Sequence, residues 1–127
     1  MLIDIGKCQT YVVATFRFAG IHRWASQPDS APRRYLAAAH RHLFHAEVAV
    51  EVSHDDRDVE ILALREAALD AIRRTFPTLP TGEFNLGESS CESLCKVIAS
   101  SVTAFVKRPA LVKVFEDGEN GANLVLL

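Results

Sequence analysis

The chain has 127 residues, 49% of them hydrophobic, with five histidines, three cysteines and a formal net charge of −2. That length holds one domain, residues 1–127, with a substantial core and no room for a second. The near-neutral balance gives no electrostatic basis for nucleic acid or an anionic membrane surface as the main partner, and no apolar run approaches the roughly 20 residues that a membrane span needs.

In chain order, the N-terminus carries Asp4 and Lys7 without an apolar stretch of the secretory type. Cys8, Cys91 and Cys95 form neither a C-x-x-C pair nor a disulfide framework. Together these lead to the expectation of a cytoplasmic protein with reduced thiols. A first strand is predicted over Thr10 to Phe18, where Val12, Ala14, Phe16 and Phe18 alternate with Tyr11, Val13, Thr15 and Arg17. His22 follows it. A loop is expected from Ala25 to Arg33, with Pro28, Asp29, Ser30 and Pro32 as turn residues.

The second strand is predicted over His42 to Ser53. Phe44, Ala46, Val48, Val50 and Val52 share one parity, and His45, Glu47, Ala49, Glu51 and Ser53 share the other. A period of two over this length marks a strand with one face buried. His40 and His42 have the parity of the apolar face, so if the strand extends back to them both imidazoles project from the core side. Two imidazoles spaced i, i+2 on one face can share a metal ion. With His22 they make three neutral imidazoles, and three with an open fourth position are a common catalytic zinc set. A histidine at a strand end is otherwise satisfied by a backbone carbonyl, and that reading stays open here.

Beyond the turn at His54, Asp55, Asp56 and Arg57, a brief strand is expected at Asp58 to Ile61. Helix one follows over Leu62 to Phe76, with Leu64, Ala68, Ile72 and Phe76 four apart, and Pro77 and Pro80 end it. A polar loop through Gly82 and Gly87 leads to helix two, whose start fits a capping box of Ser89 and Glu92. Leu94, Val97, Ile98, Ser101 and Phe105 continue its inner face. Pro109 opens a third strand in which Ala110, Val112, Val114 and Glu116 alternate with Leu111, Lys113 and Phe115. The turn Asp117 to Gly121 joins it to a last strand, Ala122 to Leu127, as a hairpin.

This order, with several local patterns, resembles the tunnelling-fold (T-fold) family of 6-pyruvoyl-tetrahydropterin synthase and 6-carboxytetrahydropterin synthase. Phe18-Ala19-Gly20-Ile21-His22 is similar to that family's phenylalanine-led motif ending in a zinc histidine. His40-Arg41-His42 matches its His-Gly-His except at the glycine. Glu60 to Arg65 resembles the start of its first helix, and Ser89 to Cys95 keeps the Glu and Leu that open its second. Val112 to Asp117 carries Glu116 where the family has the glutamate that anchors the pterin ring. The resemblance spans roughly Tyr11 to Leu127.

The resemblance implies an α+β T-fold in the order ββααββ, a four-stranded antiparallel sheet with two helices on one face. It implies Zn2+ on His22, His40 and His42, and a pterin- or purine-type ring on Glu116. It also implies a homo-oligomer, a ring or two stacked rings forming a hexamer, with which the apolar chain end from Leu124 is consistent. Glu116 has the inward parity of Val112 and Val114, and a carboxylate there is costly to bury unless paired. A pterin or guanine edge offers the two donors that a carboxylate accepts together.

The departures bear on chemistry. The family's catalytic cysteine lies four residues before the first His of His-Gly-His, and that position is Leu36. Cys8, Cys91 and Cys95 are in the wrong places to replace it, and Cys91 and Cys95, i and i+4 on helix two, are expected as core or helix-face residues. Its Asp-His relay falls in a stretch that here reads Leu79-Pro80-Thr81. The sequence therefore supports three readings: a divergent zinc-dependent pterin enzyme with another base, a module that binds a pterin, purine or guanine nucleotide without turnover, and a zinc-stabilised structural protein. The second is favoured.

Overall fold

The computed structural model describes residues 2–26 and 32–126. Strand β1 (Thr10–His22) and strand β2 (His40–Val52) form a long antiparallel pair, followed by helix α1 (Ile61–Thr75), strand β3 (Phe84–Gly87), helix α2 (Cys91–Val106), strand β4 (Ala110–Glu116) and strand β5 (Asn120–Val125). The fold class is α+β, as expected. The sheet, however, has five strands in the order β3-β1-β2-β4-β5, and the element order is ββαβαββ rather than ββααββ. The addition is β3, which runs parallel to the end of β1 and makes the sheet mixed. The other neighbouring pairs, β1–β2, β2–β4 and β4–β5, are antiparallel.

Both helices cover one face of the sheet. Ala14, Phe16 and Phe18 on β1, Phe44, Ala46, Val48 and Val50 on β2, and Ala110, Val112 and Val114 on β4 point into the core. They meet Leu64, Ala68 and Ile72 of α1 and Leu94, Ile98 and Val102 of α2. The alternation read in the sequence thus gives the correct inward parity on every long strand. No described helix is long and apolar enough to cross a membrane.

Several boundaries differ. β1 runs four residues past Phe18, because β3 pairs with Gly20 and Ile21 and supports the strand end. Gly20 fits a crowded site there: a Cβ would overlap the side chain of Leu86 and touch Phe44. β2 begins at His40, two residues before the expected start. Asp58 to Glu60 is not strand. Glu60 instead caps α1, its carboxylate accepting from the amides of Leu62 (2.9 Å) and Ala63 (2.7 Å). Helix α2 is capped by Ser90, which accepts from the Ser93 amide, not by the expected Ser89–Glu92 box. Both serines are residue types suited to an N-cap, and the one nearer the helix takes the role although Ser93, not a Glu, stands three residues after it. Pro28, Asp29, Ser30 and Leu127, expected in the first loop and the last strand, lie outside the described residues.

Candidate metal centre

The β1–β2 register places His22 directly opposite His40, with His42 opposite Gly20. His22, His40 and His42 therefore lie on one sheet face at the open end of the pair. Their ring centroids are 4.6 Å (His22–His40), 5.2 Å (His22–His42) and 5.0 Å (His40–His42) apart. Each offers one ligand nitrogen, and these three atoms lie within 4.8 Å of one another. Ligands sharing one tetrahedral ion with bonds of 2.0–2.1 Å lie about 3.4 Å apart, so the imidazoles need close by no more than about an ångström and a half. Phe44, fully buried, stands edge-on to His22 and His42 and forms the apolar floor beneath them.

Each imidazole has its Nδ1 occupied. That of His22 donates to the Ser89 carbonyl oxygen (2.8 Å), that of His40 to the Ala38 carbonyl (2.9 Å), and that of His42 to the Asp117 carboxylate (2.7 Å). A carbonyl only accepts, so His22 and His40 carry their proton on Nδ1. In neutral rings this leaves Nε2 as a lone pair, the form in which imidazole binds a metal. Outer partners of this type fix tautomer and ring orientation in metal centres. The two readings left open by the sequence thus combine: the strand-end histidines do meet backbone carbonyls, through one nitrogen each, and keep the other free. His22 is 8% exposed, and its Nε2 is buried without a hydrogen-bond partner.

Glu116 arrives through the β2–β4 register, where it faces Phe44. Its Oε2 lies 3.1 Å from Nε2 of His22 and 3.5 Å from Nε2 of His42. The inward orientation expected for Glu116 is observed, but the carboxylate is aimed at the imidazoles. Arg41, between the two inward histidines, points outward and pairs with Glu83 at 3.4 Å. His45 lies on the opposite sheet face beside Gly118, and His54 lies at the β2–α1 turn near Asp58. Neither joins the cluster.

A cleft of about 530 Å³ opens beside the cluster, lined by His22, His40, Glu116, Trp24, Leu36 and Cys91 among others. Leu36, the position that holds a cysteine in the resembling family, does face the site, and its side chain has no titratable group. Cys91 opens α2 and reaches the cleft, which the sequence did not indicate. Its thiol is pushed up to about 12, first by burial and then by the charge of Glu116. It is therefore protonated near neutrality.

Asp117 is the residue that sequence reading missed. Its Oδ2 meets His42, its Oδ1 accepts from the Leu43 amide (2.9 Å), and its own amide donates to the Leu43 carbonyl (2.7 Å). The His42 contact and the Leu43 amide hold its carboxyl below the usual range. The backbone of Asp117 is left-handed (φ 56°), a conformation that Asp tolerates better than most residues. No protein-family profile and no curated protein sequence matches the chain.

Proposed function

We propose that this chain is a divergent T-fold protein of the pterin-synthase type that holds a zinc ion on His22, His40 and His42 and a pterin- or purine-type ring in the adjoining cleft. The observation that carries the metal assignment is the convergence of the three imidazoles, each tied through Nδ1 to an outer acceptor and together offering three ligand nitrogens within 4.8 Å of one another. A histidine cluster serving only as packing has no need of three outward anchors and a buried, unpartnered nitrogen. The T-fold assignment is supported by the four antiparallel strands β1, β2, β4 and β5, with both helices inserted between the second and third of these and packed on one face. β3 is an addition to that plan.

A zinc ion held by His22, His40 and His42 would supply Lewis acidity toward an oxygen of the bound molecule. The chain's own residues position that molecule. Glu116 offers a carboxylate edge, Trp24 an aromatic surface and Leu36 an apolar wall. What the cleft lacks is the acid–base set of the resembling family, its thiol and its Asp-His relay. Leu36 stands in place of the thiol, no Asp-His pair follows α1, and Cys91 is held protonated. The protein is accordingly a binding module rather than an efficient lyase. The presence of Cys91 in the cleft favours one alternative, a slow lyase in which this thiol substitutes for the family's cysteine.

Calorimetry and product analysis on one zinc-loaded sample separate these readings. Binding of 7,8-dihydroneopterin or a guanine nucleoside without detectable turnover of 7,8-dihydroneopterin triphosphate is the expected result, because a missing general base costs roughly 10²–10⁴-fold in rate. Turnover abolished by Cys91→Ala supports the alternative. No binding of any pterin or purine removes the ring assignment.

A further inference from the structure

We infer that Glu116 is itself a metal ligand, so that the resting centre is a three-histidine, one-glutamate set rather than three histidines with a vacant fourth position. The inference rests on the metal assignment above and concerns what completes it.

Three observations carry it. Oε2 of Glu116 approaches two of the three candidate nitrogens at once, 3.1 Å from His22 Nε2 and 3.5 Å from His42 Nε2. Because His22 already spends its Nδ1 proton on the Ser89 carbonyl, a neutral His22 turns a lone pair toward that oxygen, and the contact is not a hydrogen bond. Two acceptors that face one another at this distance repel each other unless a cation lies between them. Among the described residues, moreover, the only basic groups within ion-pair distance of Glu116 are these two imidazoles, although its side chain is 33% exposed. No Lys or Arg competes for the carboxylate. A divalent ion bound by the imidazoles neutralises it and gives the otherwise orphaned His22 nitrogen a partner.

The consequence for the cleft is a contest for one side chain. A carboxylate cannot present both oxygens to a ring edge while one of them is committed to the metal. A donor-rich ring that enters must draw Glu116 off the ion, and that movement opens the fourth position. Resting metal is thus shielded, and ring binding exposes it.

The test compares the unaltered protein with Glu116→Gln, which preserves size, and with Glu116→Ala. Zinc affinity is measured by chelator competition, and the visible absorption of the cobalt(II)-loaded forms is recorded. Far-UV circular dichroism of the metal-free proteins verifies that each variant is folded. Both variants are expected to bind zinc at least tenfold more weakly, the lower end of the roughly 10–100-fold that even an outer partner is worth. Their cobalt spectra should change in intensity and position, whereas His45→Ala should change neither. Zinc affinity within twofold of the unaltered protein and an unchanged cobalt spectrum would mean that the carboxylate only pairs with a protonated imidazole, and would overturn the inference while leaving the metal assignment standing. Absence of zinc binding in the unaltered protein overturns both.

Discussion

At the scale of single residues, the centre depends on groups that hold imidazoles as much as on the imidazoles themselves. Asp117 has no part in lining the cleft, yet it fixes His42 through Nδ1 and is itself pinned to Leu43 by two hydrogen bonds. Asp117→Asn should retain the fold and weaken zinc binding about 10–100-fold, because the amide loses the charge that orients and polarises the ring. Chelator competition measures this, and an affinity equal to that of the unaltered protein would show that His42 needs no such support. Residue identity alone does not disclose the role. Asp117 reads as a turn residue between Glu116 and Gly118, and its partner lies 75 positions earlier, joined only by the β2–β4 register. His40, His42 and Glu116, by contrast, are legible from parity, since an unbroken alternation fixes which face each side chain takes.

The elements supply the precision. β1 must reach His22 for the cluster to exist. The sequence places the end of that strand at Phe18, because Ala19-Gly20 interrupts the alternation of large and polar residues and an internal glycine weakens a strand. β3 reverses that outcome. It has only four residues, the last of them the left-handed Gly87, too short a run to carry a periodic signal. Yet it pairs with the end of β1 and, two residues beyond its own end, delivers the Ser89 carbonyl to His22. The one-residue shift of the α2 cap belongs to the same arrangement. With Ser90 serving as cap, the Ser89 carbonyl remains free for the imidazole.

At the opposite end of the sheet, Asp58 ties three elements together. It accepts from the Ser53 amide (2.8 Å) and hydroxyl (3.1 Å) and from Arg108 (2.9 Å), which also donates to the Glu51 carbonyl. The Ser53 amide, then Arg108, lower its pKa to about 2. A carboxylate with a depressed folded pKa contributes stability above its unfolded value, about 3.9, and loses that contribution as the pH falls toward the folded value. Asp58→Asn should therefore lower the urea midpoint at neutral pH, and the gap to the unaltered protein should narrow between about pH 4 and pH 2. A gap independent of pH would show that the carboxylate's charge is not what links the β2–α1 turn to the α2–β4 junction.

For the molecule as a whole, the sheet is closed by helices on one face and left open along its edges. β3 covers only the His22 end of β1, so the edge from Thr10 to Ala19 has no strand partner among the described residues, and neither does the outer edge of β5. Tyr11 (42% exposed) and Val13 (46%) lie on the first of these strands, and Val125 (57%) lies on the second. Long free edges with apolar side chains invite pairing between chains. We propose a ring-shaped homo-oligomer in which β1 of one copy pairs with β5 of the next. Light scattering should give a multiple of the 14.0 kDa chain mass at micromolar concentration. A monomeric mass would contradict it, and Val13→Lys should shift the equilibrium toward the single chain.

Zinc on the three histidines is tested most directly by elemental analysis of protein expressed in zinc-replete medium and purified without chelator. About one zinc per chain is expected in the unaltered protein and in His45→Ala, whose side chain lies on the other sheet face, with loss of stoichiometric zinc in His22→Ala, His40→Ala and His42→Ala. Metal-free protein, or equal metal loss from His40→Ala and His45→Ala, would contradict it.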